Sequence, residues 1–366
     1  MLSALIILCL TSVTYLSSAF AFPVRSAQMP FRPSGTSMPS SSVSIRLGVE
    51  EDIPKAASIC CDAFNTLCAS VALPPEFNSP ADIEHFFHSL MKSDSKAFFV
   101  AVDDESGELV GGNGVEHVDE SVASIGPVFV LPGLQKNGVG RALMETVIDW
   151  ANSRGAPSIR LQQLASNVQS FSLYTRMGFI CRKQCLHLRG WCLSSSAPSP
   201  SALSPAYTLR QATGDDAGEA AELYHRVTGE RRDNQIREAF EHQMEGHPAK
   251  AYVLTDKGSG KMVAYTGQLY FFTHSCALTE DHFVELVTRV CDEWAKEMPP
   301  RENDHLIPPT AGPPSFLLPV DYPKLARTLL DRGMRTVSLT NLMSIGEWRD
   351  GDLAAYNGVY VPSVGY

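Results

Sequence analysis

The sequence predicts an α+β protein built from two similar halves in tandem, and three observations carry that expectation. A strand, a glycine loop and a helix start follow one another at 126–150. A β-hairpin pattern occurs twice, at 97–111 and again at 251–264. A Ser/Pro-rich stretch separates the two occurrences. Self-similarity at this period points to a duplicated domain rather than a solenoid.

The first 44 residues read as a targeting presequence. Residues 1–49 contain no Asp, Glu or Lys, and they open on the apolar run Leu5-Ile6-Ile7-Leu8-Cys9-Leu10. Small residues follow at Ser17-Ser18-Ala19, as in a secretory signal without its basic start. Ser and Thr interrupt the run too often for a membrane span. Phe20-Ala21-Phe22-Pro23 then leads into a Ser- and Pro-rich stretch bearing Arg25 and Arg32, the composition of a transit peptide. The join at Ser18-Ala19-Phe20-Ala21 resembles the bipartite presequence of secondary plastids. Plastid localisation is therefore expected, with the secretory pathway as the alternative.

The first half spans 45–192. Ile45-Arg46-Leu47 precedes Glu51-Asp52 and an Ala-bearing helix. Ala97-Phe98-Phe99-Val100-Ala101-Val102, a Ser106-Gly107 turn and Leu109-Val110-Gly111 form the hairpin. The apolar run Gly126-Pro127-Val128-Phe129-Val130-Leu131-Pro132 enters the loop Gln135-Lys136-Asn137-Gly138-Val139-Gly140-Arg141, and an amphipathic helix begins at Arg141. The first amides of a helix lack partners inside it and carry the positive end of the dipole. Two glycines let an anion approach them, and a diphosphate is the expected guest. Ile159–Leu164 reads as a strand, Asn167 as a helix N-cap, and Ser172–Phe179 as a short helix closed by Gly178.

These residues resemble the GCN5-related N-acetyltransferase (GNAT) superfamily. Its acetyl-CoA loop, Gln/Arg-x-x-Gly-x-Gly/Ala, is matched by Gln135, Gly138 and Gly140, and its later Asn and Leu-Tyr-x-x-x-Gly-Phe segment by Asn167, Leu173, Tyr174, Gly178 and Phe179. The resemblance implies two GNAT folds in tandem, each a mixed, mostly antiparallel sheet flanked by helices. It implies acetyl-CoA as co-substrate, held by the amides of Gln135, Lys136, Asn137, Gly138, Val139, Gly140 and Arg141. It implies that the backbone of Val128 and Val130 holds the acetyl oxygen and the pantetheine arm, with Asn167 bonding the same arm. Tyr174 stands as the general acid, because a phenol near pKa 10 stays protonated at neutral pH, with a half-buried Tyr packing on its helix as the alternative. The base is not identified. Glu116, His117, Asp119 and Glu120 lie between the two central strands, where a solvated charged turn is the plainer reading.

Residues 193–206 form the Ser/Pro linker and 207–350 the second half, followed by a tail over 351–366. Leu209-Arg210-Gln211 with Asp215-Asp216 parallels Ile45-Arg46-Leu47 with Glu51-Asp52, and Ala251–Leu254 with Met262–Ala264 parallels the first hairpin. The run Gly267–Phe272 stands where 126–131 stands, but Thr273–Ala277 follows with no Gly-x-Gly. Aligning Gly333 with Gly178 puts Leu329 in place of Tyr174 and Tyr322 in place of Asn167. The second half is thus expected to be a degenerate copy that packs on the first or shapes the amine pocket.

Composition excludes other classes. The net charge of −10 argues against a nucleic-acid backbone as partner and is compatible with a cationic amine, from a small molecule or a peptide. No membrane association is expected once the presequence is removed. Nine cysteines include no C-x-x-C pair, and His85 and His88 lack a third ligand nearby, so no metal is expected. The competing class is an acetyl-CoA-binding pseudoenzyme or sensor without turnover. A second alternative keeps the fold and uses a longer acyl-CoA.

Overall fold

The computed structural model describes residues 42–196, 203–241, 249–307, 312–348 and 358–363. The presequence lies outside them up to residue 41. Val43 and Ser44, read as its end, already belong to the first strand.

The first half runs β1 (Val43–Leu47), α1 (Ile53–Ser70), α2 (Ala81–Leu90), β2 (Lys96–Asp103), β3 (Leu109–Asp119), β4 (Val122–Val130), α3 (Val139–Ser153), β5 (Ser158–Leu164), α4 (Val168–Arg176) and β6 (Ile180–Arg189). The second repeats that order as β7 (Tyr207–Gln211), α5 (Ala217–Thr228), α6 (Asp233–Glu241), β8 (Tyr252–Asp256), β9 (Met262–Thr266), β10 (Ser275–Ala277), α7 (Glu280–Glu297), β11 (Ser315–Pro319), α8 (Pro323–Asp331) and β12 (Arg335–Gly346), then adds β13 (Val359–Val361). None of these helices is long and apolar enough to cross a membrane.

The duplication extends to single hydrogen bonds. Arg46 donates to the Asp52 carboxylate at 2.7 Å, and Asp52 also accepts the Val49 amide at 2.8 Å. Arg210, Asp216 and Thr213 repeat that arrangement at 2.7 and 2.9 Å. In both copies the arginine bond holds the aspartate below its ordinary pKa. Asp103 accepts the Ser106 amide at 2.8 Å to close the first hairpin, and Asp256 accepts the Ser259 amide at 2.7 Å to close the second.

Periodicity sets the helices. α1 buries Ile53, Ala56, Ala57, Cys60 and Cys61, an unbroken i, i+3, i+4, i+7, i+8 stripe, against Phe98 and Phe129 of the sheet. α7 is capped by Thr279, whose hydroxyl accepts the His282 amide at 3.1 Å, and buries Phe283, Leu286, Val287, Val290 and Trp294. Each of those side chains contributes about 1.5–3 kcal/mol by leaving water.

The two halves share strands. One sheet has the order β1-β2-β3-β4-β5-β12-β6-β11, and the other β13-β10-β9-β8-β7. β12, from the second half, lies between β5 and β6 and pairs antiparallel with both, while β6 pairs with β11. β12 of the second half thus lies inside the first half's sheet, and β6 of the first half lies between β12 and β11. A buried ion pair reinforces the junction: Arg160 of β5 donates to Glu230 at 3.0 Å and stacks over Trp348, with 4.6 Å from guanidinium carbon to ring centre. His187 of β6 bonds Ser315 of β11 at 2.7 Å and Ser338 of β12 at 3.2 Å.

Two segments differ from the sequence reading. The expected tail over 351–366 contains, at 358–363, fully buried chain that pairs with β10. The apolar run Gly267–Phe272 is not a strand. Leu269 takes φ +47° and Thr273 closes a turn on Tyr270 at 3.0 Å, so the run folds into the core and β10 begins only at Ser275. Of the Ser/Pro linker, Ser194 and Ser204 are anchored on the carboxylates of Asp292 and Glu285 at 3.1 and 2.8 Å, and 197–202 lies outside the described residues.

Candidate active site

β4 and β5 run parallel and pair only at Ala123↔Ile159 and Ser124↔Arg160. Beyond Ser124 they diverge, because β4 turns away at a bulge. Asn113 faces Val128 and Val115 faces Ile125, so Gly126-Pro127, a cis peptide, sets two residues of β4 against Gly114 alone, one residue extra, and β4 pairs on with β3. Gly114 is required opposite the bulge: a Cβ there would lie 2.7 Å from the Gly126 carbonyl oxygen. The divergence leaves a slot whose walls are Val128 and Val130 on one side and Leu161–Leu164 on the other.

Backbone polarity follows from the register. The Leu131 amide donates to Val110 O at 2.8 Å, and Val130 stands opposite Gly111, so the Val130 amide points away from β3 towards the slot. Val128, two residues earlier, shares that direction. Their side chains pack into the clusters under α3 and α4.

At the mouth of the slot, Leu131 to Gly138 forms the loop into α3. Gly138 is the N-cap with φ +88°, where glycine avoids the strain an L side chain would meet, and no side chain caps this end. The first bond inside the helix is Ala142 N–H to Gly138 O at 3.0 Å, so the amides of Val139, Gly140 and Arg141 precede it. Gly140 sits against Val130 and Leu173, linking the loop to the slot and to α4. Lys136 takes φ +72°. Gln135 donates back to Val130 O at 3.4 Å, and Arg141 pairs with Glu145 at 2.8 Å on the exposed face. Among the eleven expected site residues, Arg141 is thus engaged by its own helix rather than held ready beside the loop. Asn137 lies between them as exposed turn.

α4 brings the remaining two. Asn167 is its N-cap and accepts the Ser170 amide at 3.1 Å. Tyr174 is 8% exposed, clusters with Val128, Leu161 and Phe179, and has no hydrogen bond on its hydroxyl among the described residues. Burial pushes its phenol up to about 12.

Sequence reasoning did not anticipate the polar floor on the α1 side of the sheet. The Gln162 amide is buried against the Cys185 thiol, the Thr340 hydroxyl is buried with no hydrogen bond among the described residues, and Thr340 pairs with Leu164 and Cys185. Thr340 arrives on β12, so no local pattern around β5 signals it. The four residues read as a solvated turn behave differently. Glu116 lies 3.8 Å from Lys96, which reaches Glu238 at 2.8 Å, and burial raises the Glu116 pKa. Asp119 accepts the Asn234 and Gln235 amides at 3.0 and 3.1 Å at the start of α6. Of the four only Glu120 is exposed, and His117 Nε2 is buried with no hydrogen bond among the described residues. No group of three or more His, Cys, Asp or Glu residues among those described is positioned to hold a metal ion.

Residues 65–179 match the model of the acetyltransferase (GNAT) family. A 100-residue stretch is 32% identical to an uncharacterized N-acetyltransferase of Methanocaldococcus jannaschii, over 26% of this chain and 43% of that protein. A 57-residue stretch is 39% identical to the ribosomal protein bS18-alanine N-acetyltransferase of Escherichia coli, over 16% of this chain and 38% of that protein. The chain spans less than half of the length of these curated relatives. The fold is similar to a GCN5-related N-acetyltransferase from Sphaerobacter thermophilus, with TM-score 0.56 and 14% identity over 83% of this chain and 95% of that one. It is also similar to a tandem GNAT protein from the clavulanic acid biosynthesis pathway, with TM-score 0.53 and 14% identity over 83% of this chain and 98% of that one.

Proposed function

We propose that this chain, an acyltransferase belonging to the acetyltransferase (GNAT) family, moves an acetyl group from acetyl-CoA to a primary amine by direct attack on the thioester. The observation that carries the reading is the adjacency of three features, with Gly140 of the helix start against Val130 and Leu173, and Tyr174 clustered with Val128 and Leu161. An uncapped helix start stands at the mouth of the β4–β5 slot, inward-facing amides line the slot wall, and a buried, unbonded phenol lies beneath it.

In this reading the diphosphate rests on the amides of Val139 to Arg141, and pantetheine runs along the β4 edge as a pseudo-strand. The acetyl oxygen takes the Val128 or Val130 amide, an oxyanion-type donor. A neutral amine attacks the carbonyl carbon, the C–S bond breaks, and the thiolate takes the Tyr174 proton. The proton lost from the new amide nitrogen leaves through water, which also returns one to the tyrosinate. The relatives include an enzyme that acetylates a protein's alanine, which supports an amine acceptor as the class.

The test is an acceptor screen of the mature protein that reads free CoA release across small amines, amino acids and peptide N-termini. Release with at least one amine supports the reading. Tight acetyl-CoA binding without release from any of them favours the pseudoenzyme.

A further inference from the structure

The second half has its own version of the slot, and it is full. β10 and β11 correspond to β4 and β5, and all that remains of their parallel pairing is one bridge, Tyr270↔Ser315. Between them lies β13. It pairs antiparallel with β10, on the edge opposite β9, through Ser275↔Val361, Cys276↔Tyr360 and Ala277↔Val359. Its other side packs on β11. In the first half no described strand enters the corresponding gap.

The fit is specific. Gly358 to Ser363 are all buried. Period-two alternation sends Val359 and Val361 into the core around α7 and α8, and Tyr360 into the core around α5. A Cβ on Gly358 would lie 2.7 Å from Val227, so the chain must enter as glycine. Tyr322 grips the backbone twice: its hydroxyl donates to Gly358 O and accepts the Tyr360 amide, each at 3.2 Å. Tyr322 is the N-cap of α8, the place Asn167 holds at the start of α4.

We infer that the acyl-CoA slot of the second half has become a site for an extended polypeptide strand, filled by residues 358–363 of the same chain. The site takes main-chain hydrogen bonds along β10 and apolar side chains at alternate positions, the chemistry of strand addition. The bonds that would hold a pantetheine arm hold a peptide backbone instead. The turn into α7 agrees, because its first amides are served by Thr279 rather than left for a phosphate. The inference rests on the correspondence of the two halves and not on turnover in the first.

Hydrogen exchange on the full chain tests it, with and without acetyl-CoA. The amides of 359–361 should be protected to the level of the β9–β10 core. Acetyl-CoA should leave them unchanged while slowing exchange at 138–142. Tyr322→Phe should speed exchange at 359–361 tenfold or more and leave 138–142 as in the parent. Faster exchange at 359–361 on adding acetyl-CoA would overturn the inference, since the cofactor would then be displacing the strand. Parent-like protection of 359–361 in Tyr322→Phe would also overturn it. Failure of 138–142 to respond to acetyl-CoA would count against the first-half site alone.

Discussion

Tyr174→Phe separates chemistry from packing at one atom. The hydroxyl has no hydrogen bond among the described residues, so its removal leaves no buried partner stranded, and the ring keeps its contact with Phe179 at 6.0 Å between centres. The melting temperature should move by no more than about 2 °C, the scale of a change well under 1 kcal/mol. Catalysis should respond differently. A hydrogen bond to a charged group contributes about 1.5–3 kcal/mol, and 2.7 kcal/mol corresponds to about 100-fold in rate. The same burial that raises the phenol to about 12 also deprives the departing thiolate of water, which makes that bond matter. Turnover and kcat/KM should therefore fall together by about 100-fold, with acetyl-CoA affinity unchanged. Since the acid form persists to about pH 12, the parent should show no alkaline loss from this group near its unperturbed pKa of about 10. The assay is steady-state CoA release with the best amine from the screen, with thermal melting alongside. Parent-like turnover in a folded Phe variant would refute the acid role.

Gly138→Asp should weaken acetyl-CoA binding tenfold or more by calorimetry, since it adds a side chain at φ +88° and a carboxylate beside the diphosphate; unchanged affinity would move the phosphate site elsewhere. Glu230→Ala should cost about 3–5 kcal/mol in denaturant unfolding, because it leaves Arg160 buried without its carboxylate; a loss under about 1 kcal/mol would show that the pair is not structural. His187 is held neutral by burial, its pKa lowered from 6.5 to about 3, so the unfolded chain binds its proton first as pH falls. Its contribution is complete above about pH 6.5 and should decline by about 2 kcal/mol between pH 7 and 5, a slope that His187→Gln should flatten. A fluorescent fusion of residues 1–49 should reach a plastid in a suitable algal host, and Phe20→Ala should divert it; cytosolic fluorescence from the unmutated fusion would refute the targeting proposal.

The elements that could be read from the sequence are those whose signal is local. The hairpin turns at Asp103 and Asp256, the α1 stripe and the Gly138 cap each sit within a dozen residues. The local structure around the candidate site residues on the loop and on α4 was legible for the same reason. What escaped was set by distance along the chain. β12 reads as an ordinary amphipathic strand, and nothing near residue 340 announces that its partner is Leu164. Val359–Val361 is too short to register as a strand until β10 offers it an edge. Glu116 and Asp119 look like surface charge because their partners, Lys96 with Glu238 and the α6 amides, come from elsewhere. Gly267–Phe272 misleads in the other direction: its apolar run is core, but Leu269 and Thr273 bend it into a turn.

The placement of β12 bears on how the chain is made. During synthesis β5 leaves the ribosome with the edge opposite β4 unpaired, because that edge belongs to β12. Its long partner ends at Gly346, and at the usual 5–20 residues per second the wait is about 10–40 s. Through that interval an unpaired strand edge is open to any other nascent chain carrying a β12-like segment. Exchange of β12 between two copies, each lending it to the other's β5, is the misassembly this topology invites, and high expression with slow translation would favour it.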